Sequence, residues 1–185
     1  MISYIDNIPL KDIVYHGTAK PFSFISLKEG KYYKDFGQGF YTAYKKEHSI
    51  KAAKRSMKIL KKDESVVYTY KTDKQEFEQL VRKNKVKYFS EPSLEWIDFV
   101  LKSRATKGVW HNYDIVIGPT ADDDMKLCFD FYYQGEYGPL NSRQAKETLI
   151  RNLEIENFGV QFYIATNEGL NVLDEKSRKT ERIVL

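Results

Sequence analysis

The chain has 185 residues, 42% hydrophobic and 30% charged, which sets it apart from disordered, collagenous and membrane-spanning chains and gives one domain the length to bury a core. Thirty Lys and Arg against 26 Asp and Glu leave a formal charge of +4, a mild positive field far from that of a dedicated nucleic-acid arm. The single Cys128 excludes an intramolecular disulfide framework and a multi-cysteine zinc site, and it suits a reducing, cytoplasmic compartment. The opening MISYIDNIPLKDIVYHGT carries Asp6, Lys11 and Asp12 within its apolar stretch, so no secretory signal is expected. No run reaches the roughly 18 apolar residues of a spanning helix, and no membrane partner is expected.

No internal repeat or Pro/Gly/Ser linker divides residues 1–185, which read as one domain. DIVYH, an apolar run closed by Gly17, predicts a first strand; residues 17–38 read as a polar and aromatic loop, and GFYTAY after Gly39 predicts a second strand. EHSIKAAKRSMKILKK sets Ile50, Ala53, Met57 and Leu60 three and four apart, one apolar stripe on an otherwise basic helix. VVYTYK predicts a strand, QEFEQLVRKN a short helix and VKYF a strand or extended segment. After Pro92, SLEWIDFVLKSR aligns Leu94, Ile97, Val100 and Leu101 on one helical side, with Ser93 as its N-cap. YDIVIGP predicts a strand stopped by Gly118 and Pro119, and the acidic ADDD leads into DMKLCFDFYY, a helix capped by one of those aspartates. NSRQAKETLIRN predicts a helix from Ser142, VQFYIAT a strand, NEGLNVL a short helix or turn, and RIVL an edge strand. Helices and strands mix without a regular βαβ rhythm, so the expected fold class is α+β.

Motifs with defined spacing are absent. There is no G-x-x-x-x-G-K-[ST], no HExxH, no CxxC and no G-x-S-x-G. The one GxG, Gly37 to Gly39, lacks a third glycine and opens a strand rather than a helix. His16, His48 and His111 are too dispersed for a zinc site.

Three short pieces remain: YHGT at 15–18, DFGQGFYTAY at 35–44 and VQFYIAT at 160–166. In this order they resemble the histidine, tyrosine and third-strand motifs of the ADP-ribosyltransferase superfamily, in its diphtheria-toxin and poly(ADP-ribose)-polymerase-like branch; GQGFYTA is similar to that branch's FGKGIYFA element. With EWIDFVLKSR at 95–104 and YDIVIGPTADDD at 113–124, the series is similar to the bacterial domain-of-unknown-function family 3990 over roughly residues 12 to 173. The resemblance implies an ADP-ribosyltransferase-like split β-sheet core with surrounding helices, and NAD as the substrate held between two sheet halves. It implies His16, Tyr41 and Gln161 as catalytic residues, and His16, Gly17, Thr18, Gly39, Phe40 and Tyr41 as the NAD-binding set.

Transfer of ADP-ribose breaks the bond between nicotinamide and its ribose through an oxocarbenium-like state akin to that of glycoside cleavage. Gly17 has no Cβ to keep backbone from a nicotinamide carboxamide, and the neighbouring His16 can hydrogen-bond ribose hydroxyls without a charge. The Tyr41 ring can stack on nicotinamide, an arrangement worth about 0.5–1.5 kcal/mol. At the third position many transferases of this branch carry a glutamate that accepts from the nicotinamide-ribose 2′-OH, and here Gln161 aligns. Its carbonyl can accept the same bond, but a neutral carboxamide neither stabilises a cationic sugar as a carboxylate does nor acts as a base. The expected function is therefore mono-ADP-ribosylation of a macromolecular acceptor (RNA, DNA or protein) rather than polymer elongation. The resemblance also implies a toxin or defence effector held in check by an antitoxin protein.

The alternative is a catalytically silent module that binds ADP-ribose or nucleic acid, which Gln161 favours. A tRNA 2′-phosphotransferase-like reaction would need a basic phosphate clamp that the motif positions do not supply. Asp122, Asp123 and Asp124 could hold Mg²⁺, but helix capping explains them and no metal is expected. Arg104 and Asp114 are expected to brace the cleft rather than touch NAD. Lys51, Lys54, Arg55, Lys58, Lys61 and Lys62 could track a phosphate backbone, and a solvated helix face is their ordinary explanation.

Overall fold

The computed structural model describes residues 8–121, 126–153 and 159–184. Runs of β-branched and aromatic residues become seven strands: β1 (Ile13–Thr18), β2 (Phe40–Ala43), β3 (Glu64–Thr72), β4 (Val86–Tyr88), β5 (Ile115–Pro119), β6 (Val160–Ile164) and β7 (Leu173–Val184). The amphipathic stretches become α1 (Lys46–Leu60), α2 (Lys74–Arg82), α3 (Leu94–Ala105), α4 (Lys126–Tyr133), α5 (Arg143–Asn152) and α6 (Asn167–Leu170). All seven strands join one mixed sheet in the order β4-β5-β6-β2-β1-β3-β7, so the fold class is α+β as expected. Only β4 and β5 run parallel; the other neighbours are antiparallel.

Side chains alternate across a sheet, and the central strands therefore feed two cores. Val14, Phe40, Phe162 and Ile164 point to one side, where Phe77, Leu80 and Val81 of α2 cover them. Val116 and Tyr163 point to the other and meet Trp96, Ile97 and Val100 of α3 and Leu149 of α5. Phe36, from the loop before β2, is fully buried in that second core.

The pairing is uneven at the centre. β1 pairs with β3 at six positions and β2 with β6 at four, whereas β1 and β2 share only Tyr15 opposite Ala43. Helix α1 lies against β1, β2 and β3 across this seam. It approaches so closely that a Cβ at Gly17 would stand 1.8 Å from the Ser49 carbonyl oxygen. Glycine is required at position 17 by that contact.

Three expectations change. The buried face of α1 is Ser49, Ala53 and Met57, with Ile50 and Leu60 only half-buried, because small residues turned inward let the helix backbone reach Gly17. Helix α3 buries Trp96 and Phe99 as well as Ile97, Val100 and Leu101, because it lies between the sheet and α5 rather than on the surface. The last strand is not RIVL but twelve residues, Leu173–Val184, most of them exposed. The expected Ser93 cap forms, accepting from the Trp96 N–H; Ser142, the expected start of a helix, also caps it by accepting from the Ala145 N–H. Asp73, a further cap, accepts from Gln75 and Glu76. The acidic residues 122–124 lie outside the described residues. Among the described residues no helix is long and apolar enough to cross a membrane.

Candidate functional site

β1 carries His16 on the same sheet face as Phe40, and the two rings stack with centroids 4.4 Å apart. Phe22 meets the imidazole edge-on at 5.6 Å. Nδ1 lies 2.7 Å from the Tyr41 carbonyl oxygen, which can only accept, so Nδ1 carries the proton and Nε2 keeps its lone pair. No group among the described residues donates to Nε2. Burial among the aromatics pushes the imidazole down to about 4, against a smaller upward effect of the Tyr41 bond, so His16 is neutral at pH 7.

Tyr41 and Gln161 lie on the opposite face. The Tyr41 hydroxyl donates to the Gly37 carbonyl at 2.7 Å and accepts from the Phe36 N–H at 3.1 Å. Its ring tilts against Tyr163, with centroids 4.8 Å apart. Burial, followed by Tyr163 and Asp35 nearby, raises the phenol well above its ordinary range. Two strands away from β1, Gln161 is 7% exposed. Its Nε2 donates to Asp35 Oδ2 at 3.0 Å and to the Pro119 carbonyl at 3.2 Å. Both side-chain N–H groups are thereby used, and no described residue donates to Oε1.

Asp35, 5% exposed, gathers these contacts. Its Oδ1 accepts from Arg104 Nε at 2.9 Å and Nη2 at 2.6 Å, and Oδ2 accepts from the Ala121 N–H at 2.9 Å. Arg104 also donates to the Ala121 carbonyl at 2.8 Å and lies over the Phe129 ring at 4.2 Å. One carboxylate thus ties the loop before β2, the end of α3, the turn after β5 and strand β6. Arg104 braces this region, while Asp114 accepts from the Thr166 hydroxyl at 2.9 Å beside α6.

Residues 13–174 match a family described as a protein of unknown function, DUF3990. The chain belongs to this family. No curated protein and no solved structure matches it. The DUF3990 match contains His16, Asp35, Tyr41, Arg104 and Gln161 alike.

Within the DUF3990 fold, the HGT, GFYTA and VQFYI segments become the adjacent strands β1, β2 and β6. Their side chains divide: His16 and Phe40 on one face, Tyr41 and Gln161 on the other. The Cβ direction of Gly17 is filled by α1, and that of Gly39 by the Ile164 carbonyl oxygen at 2.3 Å. The Thr18 hydroxyl accepts from the Lys20 N–H at 3.0 Å and closes a local turn. A groove of about 700 Å³ opens between α3 and residues 109–113; Phe99, Lys102, Trp110 and Tyr113 line it, and His16, Tyr41 and Gln161 do not. The residues that sequence reasoning missed are Asp35, Phe36 and Tyr163. Asp35 did carry a signal, as a lone carboxylate wedged into the aromatic and glycine-rich DFGQGFY.

Proposed function

We propose that this DUF3990 protein is an NAD-dependent mono-ADP-ribosyltransferase acting on a macromolecular acceptor. The observation that carries the proposal is that three distant motifs meet as the consecutive strands β6, β2 and β1 where the sheet is least paired, with one β1–β2 register between them. NAD suits the groups found there. Its ribose hydroxyls are donors, and the chain leaves two oriented, unclaimed acceptors, His16 Nε2 and Gln161 Oε1. These acceptors belong to opposite faces of one hydrogen-bonded sheet, so a single dinucleotide reaches both only where β1 and β2 part at their one rung.

When NAD is bound, the bond from ribose C1′ to nicotinamide breaks with its electron pair leaving on nicotinamide, an acceptor lone pair closes on C1′, and the acceptor proton passes to solvent. The chain's own contribution is orientation. His16 is kept neutral by burial and in one tautomer by the Tyr41 carbonyl, as a hydroxyl acceptor requires. Gln161 offers a carbonyl oxygen, and Tyr41 a flat ring fixed at its hydroxyl. On the strength of the family resemblance, the protein is a toxin or defence effector restrained by a partner protein.

The test is incubation of the purified protein with labelled NAD and, separately, RNA, DNA and protein from a lysate, with His16→Ala as control. Label on one acceptor class, lost in His16→Ala, is the expected result. Binding of NAD or ADP-ribose without nicotinamide release would assign a silent binding module instead, and neither binding nor release would overturn the proposal.

A further inference from the structure

We infer that Asp35 is a positioning residue that presents Gln161 as a carbonyl acceptor, and that the site is built for glutamine and against glutamate at position 161. The chemistry served rests on the transferase proposal, but the geometry stands apart from it.

A carboxamide has two chemically different ends, and something must decide which faces the ligand. Asp35 Oδ2 at 3.0 Å and the Pro119 carbonyl at 3.2 Å are both acceptors, and both bind Nε2. A flipped side chain would set Oε1 against these two oxygens and leave the amide hydrogens without their partners, an unfavourable arrangement at a buried site. Oε1 is therefore fixed as the outward atom, and the partner it recognises is a donor such as a ribose hydroxyl. Asp35 holds its own place through Arg104 and the Ala121 N–H, which supply three hydrogen bonds to its two oxygens. Orientation thus runs from Arg104 to Asp35 to Gln161.

The same contacts explain the residue type. A glutamate at 161 would bring a second carboxylate to about the distance now spanned by the Gln161–Asp35 bond, where two like charges cannot both stay ionised. The same oxygen, standing where Nε2 now stands, would also meet the Pro119 carbonyl with no hydrogen to share. Glutamine at this position is the complement of Asp35 rather than a weakened glutamate.

Two measurements test this. The first is solvent exchange of the Gln161 side-chain NH₂ protons by NMR: they should be protected in the native chain and exchange at least about tenfold faster in Asp35→Asn. Exchange in the native chain as fast as that of a solvated glutamine would overturn the inference, whatever any variant does. The second is nicotinamide release from NAD. Asp35→Asn should lower kcat by about 10²-fold with little change in KM, as expected for a misaligned group. Gln161→Glu should also lower kcat, and activity equal to or above that of the native chain would overturn the inference. If the native chain releases no nicotinamide, the transferase proposal falls, while the exchange measurement still decides the role of Asp35.

Discussion

Acidification should expose the cost of keeping His16 uncharged. In the unfolded chain the imidazole takes up its proton near the ordinary 6.5, but in the folded chain only near 4. Between these values the unfolded state binds more protons, so stability rises with pH across the window. The contribution is fully present above about pH 6.5 and is lost as the pH falls towards 4. At 1.36 kcal/mol for each pH unit, the difference between 6.5 and about 4 amounts to about 3 kcal/mol. Urea unfolding at several pH values between 7.5 and 4 measures it, with His16→Gln as the reference, since a glutamine N–H can still donate to the Tyr41 carbonyl. The native chain should lose about 3 kcal/mol more than the variant across the range. His111, which burial also lowers, is present in both chains and cancels. Superimposable pH dependences would refute the assignment of a desolvated, neutral His16.

Other substitutions probe the frame around it. Gly17→Ala sets a methyl 1.8 Å from the Ser49 carbonyl oxygen and should destabilise by about 3 kcal/mol, the upper end for overpacking; an unchanged denaturation midpoint would contradict the α1–β1 contact. Tyr41→Phe removes a hydroxyl that serves both Gly37 and Phe36 and should cost about 1–3 kcal/mol in thermal or urea unfolding. Arg104→Ala strips the Asp35 carboxylate of its cation and should cost about 3–5 kcal/mol; a loss below about 1 kcal/mol would mean that Asp35 is not held as a buried anion.

The kinds of element were legible because apolar spacing reports which side of a segment meets a core. β1, β2 and β6 could be read from their aliphatic and aromatic runs, Ser93 as a cap and Ser142 as the start of a helix. β7 could not be read over most of its length, because an edge strand with a charged surface has no alternation to display. The close approach of α1 was hidden for another reason: it is allowed by the missing side chain of Gly17, 32 residues before Ser49 in the chain. At the candidate site, His16, Tyr41 and Gln161 were singled out by motif, but the division of their side chains between two faces follows from strand register, which no local pattern contains. The Asp35 cluster joins positions 35, 104, 121 and 161, and only the assembled sheet brings them within hydrogen-bonding distance.

The lone Tyr15–Ala43 rung has a mechanical consequence. A pull or a thermal fluctuation acting on the molecule should unzip it there first, separating a blade of β4, β5, β6 and β2 from one of β1, β3 and β7. Helix α1 lies across that line like a splint, and its grip on Gly17 then governs how readily the two blades swing apart.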